Sequence, residues 1–271
     1  MHYPIPCRSA RAFTSSRDMS PQNAGLVFDR FAPDWRADVE LKKQGLEAVC
    51  SAAKKADDTL LNAWVARWTK MAESVKAAVF RAATDWRFIP GLGRKGPLEV
   101  GFCFNRYGFP ILPGSSVKGI ARAYASVIKD LNESNGDFAQ IFGRTPLPDE
   151  DQSLVRSGCA VFLDAIPTEV PRLQLDVMNP HFPDYYQGSA FPTDGQGPIQ
   201  IYFLSVAPHT EFLFAVGWRG SLDDAAFRWR DLAKEWLAGG LSQLGAGAKT
   251  SAGYGYFVEN EQAKAASVEP A

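Results

Sequence analysis

The sequence has little of what metal and thiol chemistry requires. Its 271 residues include only four cysteines and three histidines. The cysteines are widely scattered and form no Cys-x-x-Cys pair, so nothing indicates a disulfide framework or a zinc site. We therefore expect a protein of the reducing cytoplasm that carries no metal and no cofactor.

Long apolar runs and an excess of one charge are also lacking. The longest apolar runs fall far short of the roughly 20 residues that span a bilayer, so we expect no transmembrane helix and no membrane partner. Hydrophobic residues make up 46% of the chain and the net charge is −1. This balance hides one basic stretch, residues 85–122, with six basic residues against two acidic ones. A local basic patch on a neutral protein favours a specific anionic partner.

Composition divides the chain into three parts. Residues 1–24 contain serine and arginine but lack the apolar core of a secretory signal, which predicts a flexible N-terminal extension. The Glu/Gln/Ala-rich residues 259–271 predict a disordered tail. Between them, residues 25–258 are expected to form one domain. Within this domain 38–72 has the periodicity of a helical segment, and 178–198 is rich in Pro, Gly, Asp and Tyr, which predicts an irregular excursion.

The order of predicted elements indicates an α+β fold. Strands are predicted at 75–88, 98–104, 159–165, 172–177, 199–206, 212–218 and 254–258, and two helices at 113–131 and 222–241. Without the additions this order reads β, β, α, β, β, α, β. Such an order is compatible with a ferredoxin-like (RRM-like) antiparallel sheet covered by helices on one face. The opposite face would then stay open for a ligand.

A glycine-rich segment near the C-terminus is the most informative feature. Residues 239–257 hold six glycines around Lys249 and Thr250. A backbone without side chains can present its N–H groups to an anion. Glycine also tolerates the positive φ that an anion-binding backbone concavity needs. The Walker A motif requires a glycine directly before the lysine, where this chain has Ala248. The dinucleotide-binding motif requires a third glycine, where this chain has Thr250. A phosphate site that hydrolyses no nucleotide is predicted, and a tightly packed helix-to-strand loop is the alternative.

Two more segments combine glycines, hydroxyls and cations. At 113–122 a predicted helix begins with Ser115 and Ser116, one of which could cap it, while Lys118 and Arg122 lie four apart on one face. A helix N-terminus binds a phosphate readily. The second segment, 87–95, is a glycine turn with several cations. Taken singly, the first segment is better explained as a capped helix with two solvated cations, and the second is weak evidence for a binding site.

The order of these motifs resembles the RAMP proteins of CRISPR systems, in particular subunits of type III-B (Cmr) effector complexes. The motifs are WRFIPGLG at 86–93, GFPILPGSSVKG at 108–119, IFG at 141–143 and LGAGAKTSAGYGYF at 244–257. The resemblance covers roughly 25–258, and residues 176–186 look like an insertion of that family.

The resemblance implies a ferredoxin-like RAMP fold whose sheet and glycine loop hold guide RNA near its 3′ end. Other RAMP subunits and the target RNA, paired with the guide, are the expected neighbours. RAMP subunits of this kind are scaffolds, which implies no catalytic residue and no small-molecule substrate. The expected RNA-binding residues are Arg87, Gly91, Gly93, Arg94, Ser115, Ser116, Lys118, Arg122, His181, Gly247, Lys249, Thr250, Gly253 and Tyr254.

Two alternatives stay open at this point. Some RAMP relatives are metal-independent endoribonucleases with a catalytic histidine, and His181, near Asp176 and Asp184, is the candidate here. Otherwise His181 orders the insertion or touches RNA. A pure protein adaptor is the other alternative. Tyr254 and Tyr256 could stack on bases, but at least one of them is expected in the core.

Overall fold

The computed structural model describes residues 22–31, 38–94, 98, 100–145, 156–179, 200–221 and 223–259, with residues 8, 188 and 191 alone. By contacts the chain divides into two compact units, where the sequence predicted one domain. The first unit comprises Met1–Ala56, Gly91–Phe109 and Arg172–Val206, and the second comprises Asp57–Pro90, Pro110–Pro171 and Ala207–Ala271. Most of the predicted extension and excursion, and residues 260–271 of the tail, lie outside the described residues.

The secondary structure follows the predicted α+β class. The described helices are α1 Ala24–Arg30, α2 Val39–Ala53, α3 Asp58–Ser74, α4 Gly114–Val127, α5 Gly136–Phe142 and α6 Asp224–Gln243. The described strands are β1 Ala78–Thr84, β2 Gly143–Arg144, β3 Arg156–Ser157, β4 Ala160–Phe162, β5 Ile166–Pro167, β6 Leu173–Met178, β7 Ile201–Val206, β8 Glu211–Trp218 and β9 Phe257–Glu259. None of the helices in this described part combines the length and apolar character that crossing a membrane requires.

The predicted helical segment 38–72 consists of two helices, α2 and α3. The break falls at Lys54–Asp57, where Asp57 accepts hydrogen bonds from the N–H groups of Thr59 and Leu60. An aspartate in this position satisfies amides that a helix start leaves unpaired, so the sequence begins a new helix there. Helix periodicity alone did not reveal this cap.

The main sheet of the second unit is antiparallel, in the order β4–β8–β1–β9, with β5 also paired to β8. Helix α4 follows β1 along the chain, and α6 follows β8. The resulting β-α-β-β-α-β order with the first strand between the third and the fourth is the ferredoxin-like arrangement, as predicted.

Helices α4 and α6 pack closely through two glycines. A Cβ at Gly239 would collide with the ring of Tyr124, and one at Gly240 would lie 2.7 Å from Cγ2 of Ile120. Gly239 faces Tyr124, whereas Gly240, which follows it, faces Ile120, which precedes Tyr124. The two helices therefore run in opposite directions. The start of α4 and the end of α6 therefore lie at the same end of this unit.

Aromatic side chains fill the space between sheet and helices. Phe88, Phe212 and Phe214 are fully buried, and the ring of Phe257 lies 5.3 to 5.9 Å from each of them. Burying such large apolar rings is the main stabilising contribution to this unit.

The predicted open face of the sheet is wrong for the central strand. Leu213 and Ala215 alternate with Phe212 and Phe214 along β8, and all four are buried. Successive side chains of a strand point to opposite faces, so both faces of β8 are covered at this point.

The predicted strand over 98–104 is also wrong. Its described residues are irregular except for a single bridge residue at Phe104. Gly101 donates its N–H to the carbonyl of Leu92 at 2.7 Å and would, with a Cβ, meet the carbonyl of Gly91 at 2.6 Å. These apolar residues therefore belong to a compact loop and not to a strand of a β-sheet.

The first unit holds α1, α2 and the antiparallel pair β6–β7. Strand β7 pairs with β6, although a short turn joins it to β8 in sequence. Asn23 caps α1, and its side-chain amide donates to the carbonyl of Arg106 at 3.0 Å. Residues 105–108 form a turn, in which Gly108 has φ +86° and donates its N–H to the carbonyl of Asn105.

Candidate RNA interface

The glycine loop, defined as residues 244–256, is hydrogen-bonded along the segment that follows β1. Gly255 donates its N–H to the carbonyl of Arg87 at 2.8 Å, and Ala248 donates to Ile89 at 3.0 Å. In return Asp85 donates to the carbonyl of Tyr256 at 2.8 Å. The loop thus lies at the end of the sheet where β1 finishes, which is also the end where α6 finishes.

Two glycines of the loop serve close packing. A Cβ at Gly255 would collide with the carbonyl oxygen of Ala246, and one at Gly247 with that of Ile89. Both glycines also have positive φ, +77° and +78°. At these two positions close packing requires glycine, as the alternative interpretation of a tightly packed helix-to-strand loop predicts.

Most amides of the loop are not available to a ligand. The N–H groups of Gly245, Ala246, Ala248, Ala252, Gly253, Tyr254 and Gly255 all donate to carbonyls of the same unit. Among the described residues, no acceptor lies within hydrogen-bond reach of the N–H groups of Gly247, Thr250 and Ser251. The amides that remain as candidates for the predicted phosphate site are therefore these three. Lys249, which lies between Gly247 and Thr250 in the chain, has the left-handed conformation with φ +60°.

An aromatic pair flanks the loop. Tyr254 is only 8% exposed, as expected for at least one tyrosine, and its ring centroid lies 5.1 Å from that of Trp86. Trp86 itself is 44% exposed, and the Arg87 guanidinium lies 5.4 Å from its ring centroid. Burial makes Tyr254 a poor stacking surface for a base. Trp86 was missed as a site residue, although it begins the motif that contains Arg87.

The start of α4 differs from the prediction in its cap. Ser115 and Ser116 are exposed in the first turn, but Pro113 is the capping residue and has no side-chain hydrogen bond. The carboxylate of Asp164 instead accepts the Gly114 N–H at 2.7 Å. Asp164 lies between β4 and β5, within the segment 159–165 that was predicted as one strand. A carboxylate at this position interacts with the partial positive charge of the helix N-terminus, which would otherwise attract a phosphate.

The two cations of α4 have different surroundings. The Arg122 guanidinium pairs with Glu133 at 2.6 Å and lies 5.2 Å from the ring centroid of Phe138. The other Glu133 oxygen accepts the Thr145 N–H at 2.7 Å. Arg122 is thus part of an internal network, whereas Lys118 is half-buried on the same face.

The pKa of Glu133 provides a test of this network. The Thr145 N–H, followed by the Arg122 guanidinium, lowers the pKa of Glu133 below its ordinary value of 4.5. A lowered folded-state pKa stabilises the fold above the ordinary value, and this contribution disappears as the pH falls through the folded-state value. We expect Glu133→Gln to unfold at lower urea concentration than the wild type at pH 7, and the difference to shrink progressively as the pH is lowered below 4.5. A difference that does not change with pH would contradict the assignment.

The remaining predicted residues are in the first unit or undescribed. Gly91 has φ +81°, Gly93 is exposed, and Arg94 Nη1 donates to Sγ of Cys103 at 2.8 Å. These three residues form a turn of the first unit. His181 lies outside the described residues. Of the predicted set, the structure brings together Arg87, Gly247, Lys249, Thr250, Gly253 and Tyr254, with Ser115, Ser116 and Lys118 at the same end of the second unit.

The described residues offer no metal centre. No group of three or more His, Cys, Asp and Glu side chains among them could hold a metal ion. The chemistry of this end of the second unit is that of cations, free amides and one exposed indole ring. Such a combination can recognise a phosphate and an adjacent aromatic base.

Comparison with known proteins identifies the family. The RAMP superfamily model matches residues 91–258, more than half of the chain. The chain belongs to the RAMP superfamily. This RAMP protein is 34% identical to the CRISPR system Cmr subunit Cmr6 of Pyrococcus furiosus over 247 aligned residues, with 71% of each chain covered. A chain in the cryo-EM structure of the type III-B Cmr-beta complex bound to cognate target RNA has the same fold, with a TM-score of 0.57 and 18% identity. That match covers 83% of this chain and 76% of the other.

Proposed function

We propose that this RAMP protein is a non-catalytic, RNA-binding scaffold subunit of a cytoplasmic type III-B CRISPR effector complex. In this role it holds the guide RNA near its 3′ end and contacts neighbouring RAMP subunits and the guide–target duplex. The 34% identity to Cmr6 over most of both chains is the observation that carries the proposal.

The glycine loop supports RNA binding by its chemistry. A guide of any sequence must be held by its phosphates and 2′-hydroxyls, because base edges differ from guide to guide. Free amides at Thr250 and Ser251 beside Lys249 suit a phosphate of any nucleotide. Arg87, bonded to the loop through its carbonyl, adds a second cation at the same place.

The described residues favour a scaffold over a nuclease. His209 is their one histidine, and it is exposed in the turn between β7 and β8. Its backbone N–H donates to the carbonyl of Thr84, and its φ is +60°. General acid–base cleavage needs a side-chain proton donor and acceptor positioned around the scissile phosphate, whereas within the described part of the chain His209 is held through its backbone.

The test uses the full chain assembled with the other RAMP subunits and guide RNA. We expect ultraviolet crosslinks between the guide and a peptide containing residues 244–256, and no cleavage of repeat RNA by the purified chain. An assembled complex without RNA crosslinks to this chain would make it a protein adaptor. Cleavage of repeat RNA that His181→Ala abolishes would make it an endoribonuclease.

A further inference from the structure

We propose that Trp86 is a stacking platform for one unpaired nucleobase, placed next to the phosphate contacts of the glycine loop. This inference rests on the proposed RNA-binding function and deepens it. It names the ligand class of the site as single-stranded RNA and assigns its base contact to a residue outside the predicted set.

Exposure separates Trp86 from the other aromatic residues around the loop. Trp86 is 44% exposed, whereas Phe88 is fully buried and Phe257 and Tyr254 are 3% and 8% exposed. Tyr256, which is also in the loop, is half-buried. Trp86 is therefore the most exposed aromatic ring in and beside the loop, and the buried ring of Tyr254 packs against it.

Several contacts hold the indole ring in place before any ligand arrives. The Tyr254 ring packs against it at 5.1 Å with an interplanar angle of 40°, and the Arg87 guanidinium lies 5.4 Å from its centroid. The backbone on either side is fixed, since Asp85 and Arg87 are both hydrogen-bonded to the loop. A ring that is already ordered loses little conformational entropy on binding, which favours affinity.

The surroundings of Trp86 select the ligand. Tyr254 connects the ring to the phosphate contacts, since its N–H bonds to the Lys249 carbonyl at 3.3 Å. A nucleotide whose base lies on Trp86 therefore has cations and free amides beside it for its phosphate. Stacking accepts every base but requires one that has left its own helical stack. The site thus fits an unpaired segment of RNA and not a continuous duplex.

The experiment compares Trp86 variants of the full chain by fluorescence anisotropy. The probes are a short unstructured RNA and a blunt duplex of the same length. We expect Trp86→Ala and Trp86→Leu to lower affinity for the single strand about tenfold, because leucine keeps apolar bulk without a π face. Trp86→Phe is expected to stay within about threefold of the wild type. Met71→Ala, which truncates a side chain on α3 that is 42% exposed, is the matched control and should leave affinity unchanged.

The possible results distinguish failure of the stacking proposal from failure of the proposed function. Leucine and alanine variants that bind the single strand as tightly as the wild type would overturn the stacking platform and leave the proposed function standing. An equal loss for single strand and duplex would also overturn it, because stacking acts on the unpaired base. A wild-type chain that binds neither probe would contradict the proposed function itself. Unfolding temperatures of all variants, measured in parallel, exclude loss of the fold as the cause.

Discussion

Replacing Gly255 with alanine is expected to destabilise this RAMP protein by about 2–4 kcal/mol. Gly255 has φ +77°, a conformation that costs a residue with a side chain about 1–2 kcal/mol. The added Cβ would also collide with the carbonyl oxygen of Ala246. That carbonyl belongs to the backbone and cannot move aside alone, because the Ala246 N–H donates to the Gly255 carbonyl at 2.8 Å.

Two other glycines provide matched controls, measured by urea unfolding. Gly253 has φ +87° but open space around its Cβ position, so Gly253→Ala should cost only the conformational part, about 1–2 kcal/mol. Gly119 lies in the exposed face of α4 with open space, so Gly119→Ala should stabilise by about 1 kcal/mol. Equal losses for Gly255→Ala and Gly253→Ala would contradict the close-packing role of Gly255.

The fold was predictable from sequence where long periodic segments decide it. The helix at 222–241 and the strand at 212–218 match α6 and β8 within about two residues, because each buries one continuous apolar pattern. The strand at 98–104 failed although its composition is equally apolar. Gly101 in this segment donates its N–H to the carbonyl of Leu92, and composition does not encode such a partner.

The glycine loop was predictable as a distinctive segment, whereas the hydrogen bonds of its backbone were not. Glycine spacing drew attention to 244–256, because glycines cluster where backbones approach closely. It could not distinguish an amide offered to a ligand from one donated to a neighbouring carbonyl. The Gly253 and Gly255 amides donate to carbonyls of the same unit, whereas those of Thr250 and Ser251 have no acceptor among the described residues and are the proposed phosphate contacts. Likewise the exposure of Trp86 and the cap by Asp164 depend on tertiary contacts, which no local pattern contains.

We propose that one backbone serves both close packing and phosphate binding in the loop. Gly247 and Gly255 fix it against the segment after β1, and the half-buried Lys249 and Thr250 and the exposed Ser251 lie in the turn between them. A rigid support positions cations and amides with little entropy left to lose on binding. We infer that the packing interpretation and the phosphate interpretation of the glycines are complementary, since the first produces the geometry that the second requires.

The double substitution Lys249→Ala with Arg87→Ala is expected to produce the largest loss of RNA affinity without loss of the fold. Each cation that neutralises a phosphate of single-stranded RNA contributes about 0.7 to the slope of log affinity against log salt concentration. Removing both should lower that slope by about 1.4 and weaken binding by roughly tenfold to a hundredfold at moderate salt. Titration of a short unstructured RNA at several salt concentrations measures both quantities.

The matched control removes the same charge elsewhere in the second unit. Lys70 is exposed on α3, and Arg219 is exposed just after β8, at the end of the sheet away from the glycine loop. Lys70→Ala with Arg219→Ala should leave the salt slope within experimental error of the wild type. Equal slopes in the two double variants would mean that RNA responds to overall charge, and the glycine loop would lose its assignment as the phosphate contact. A reduced slope confined to the Lys249 and Arg87 variant would support that assignment, because net charge is the same in both.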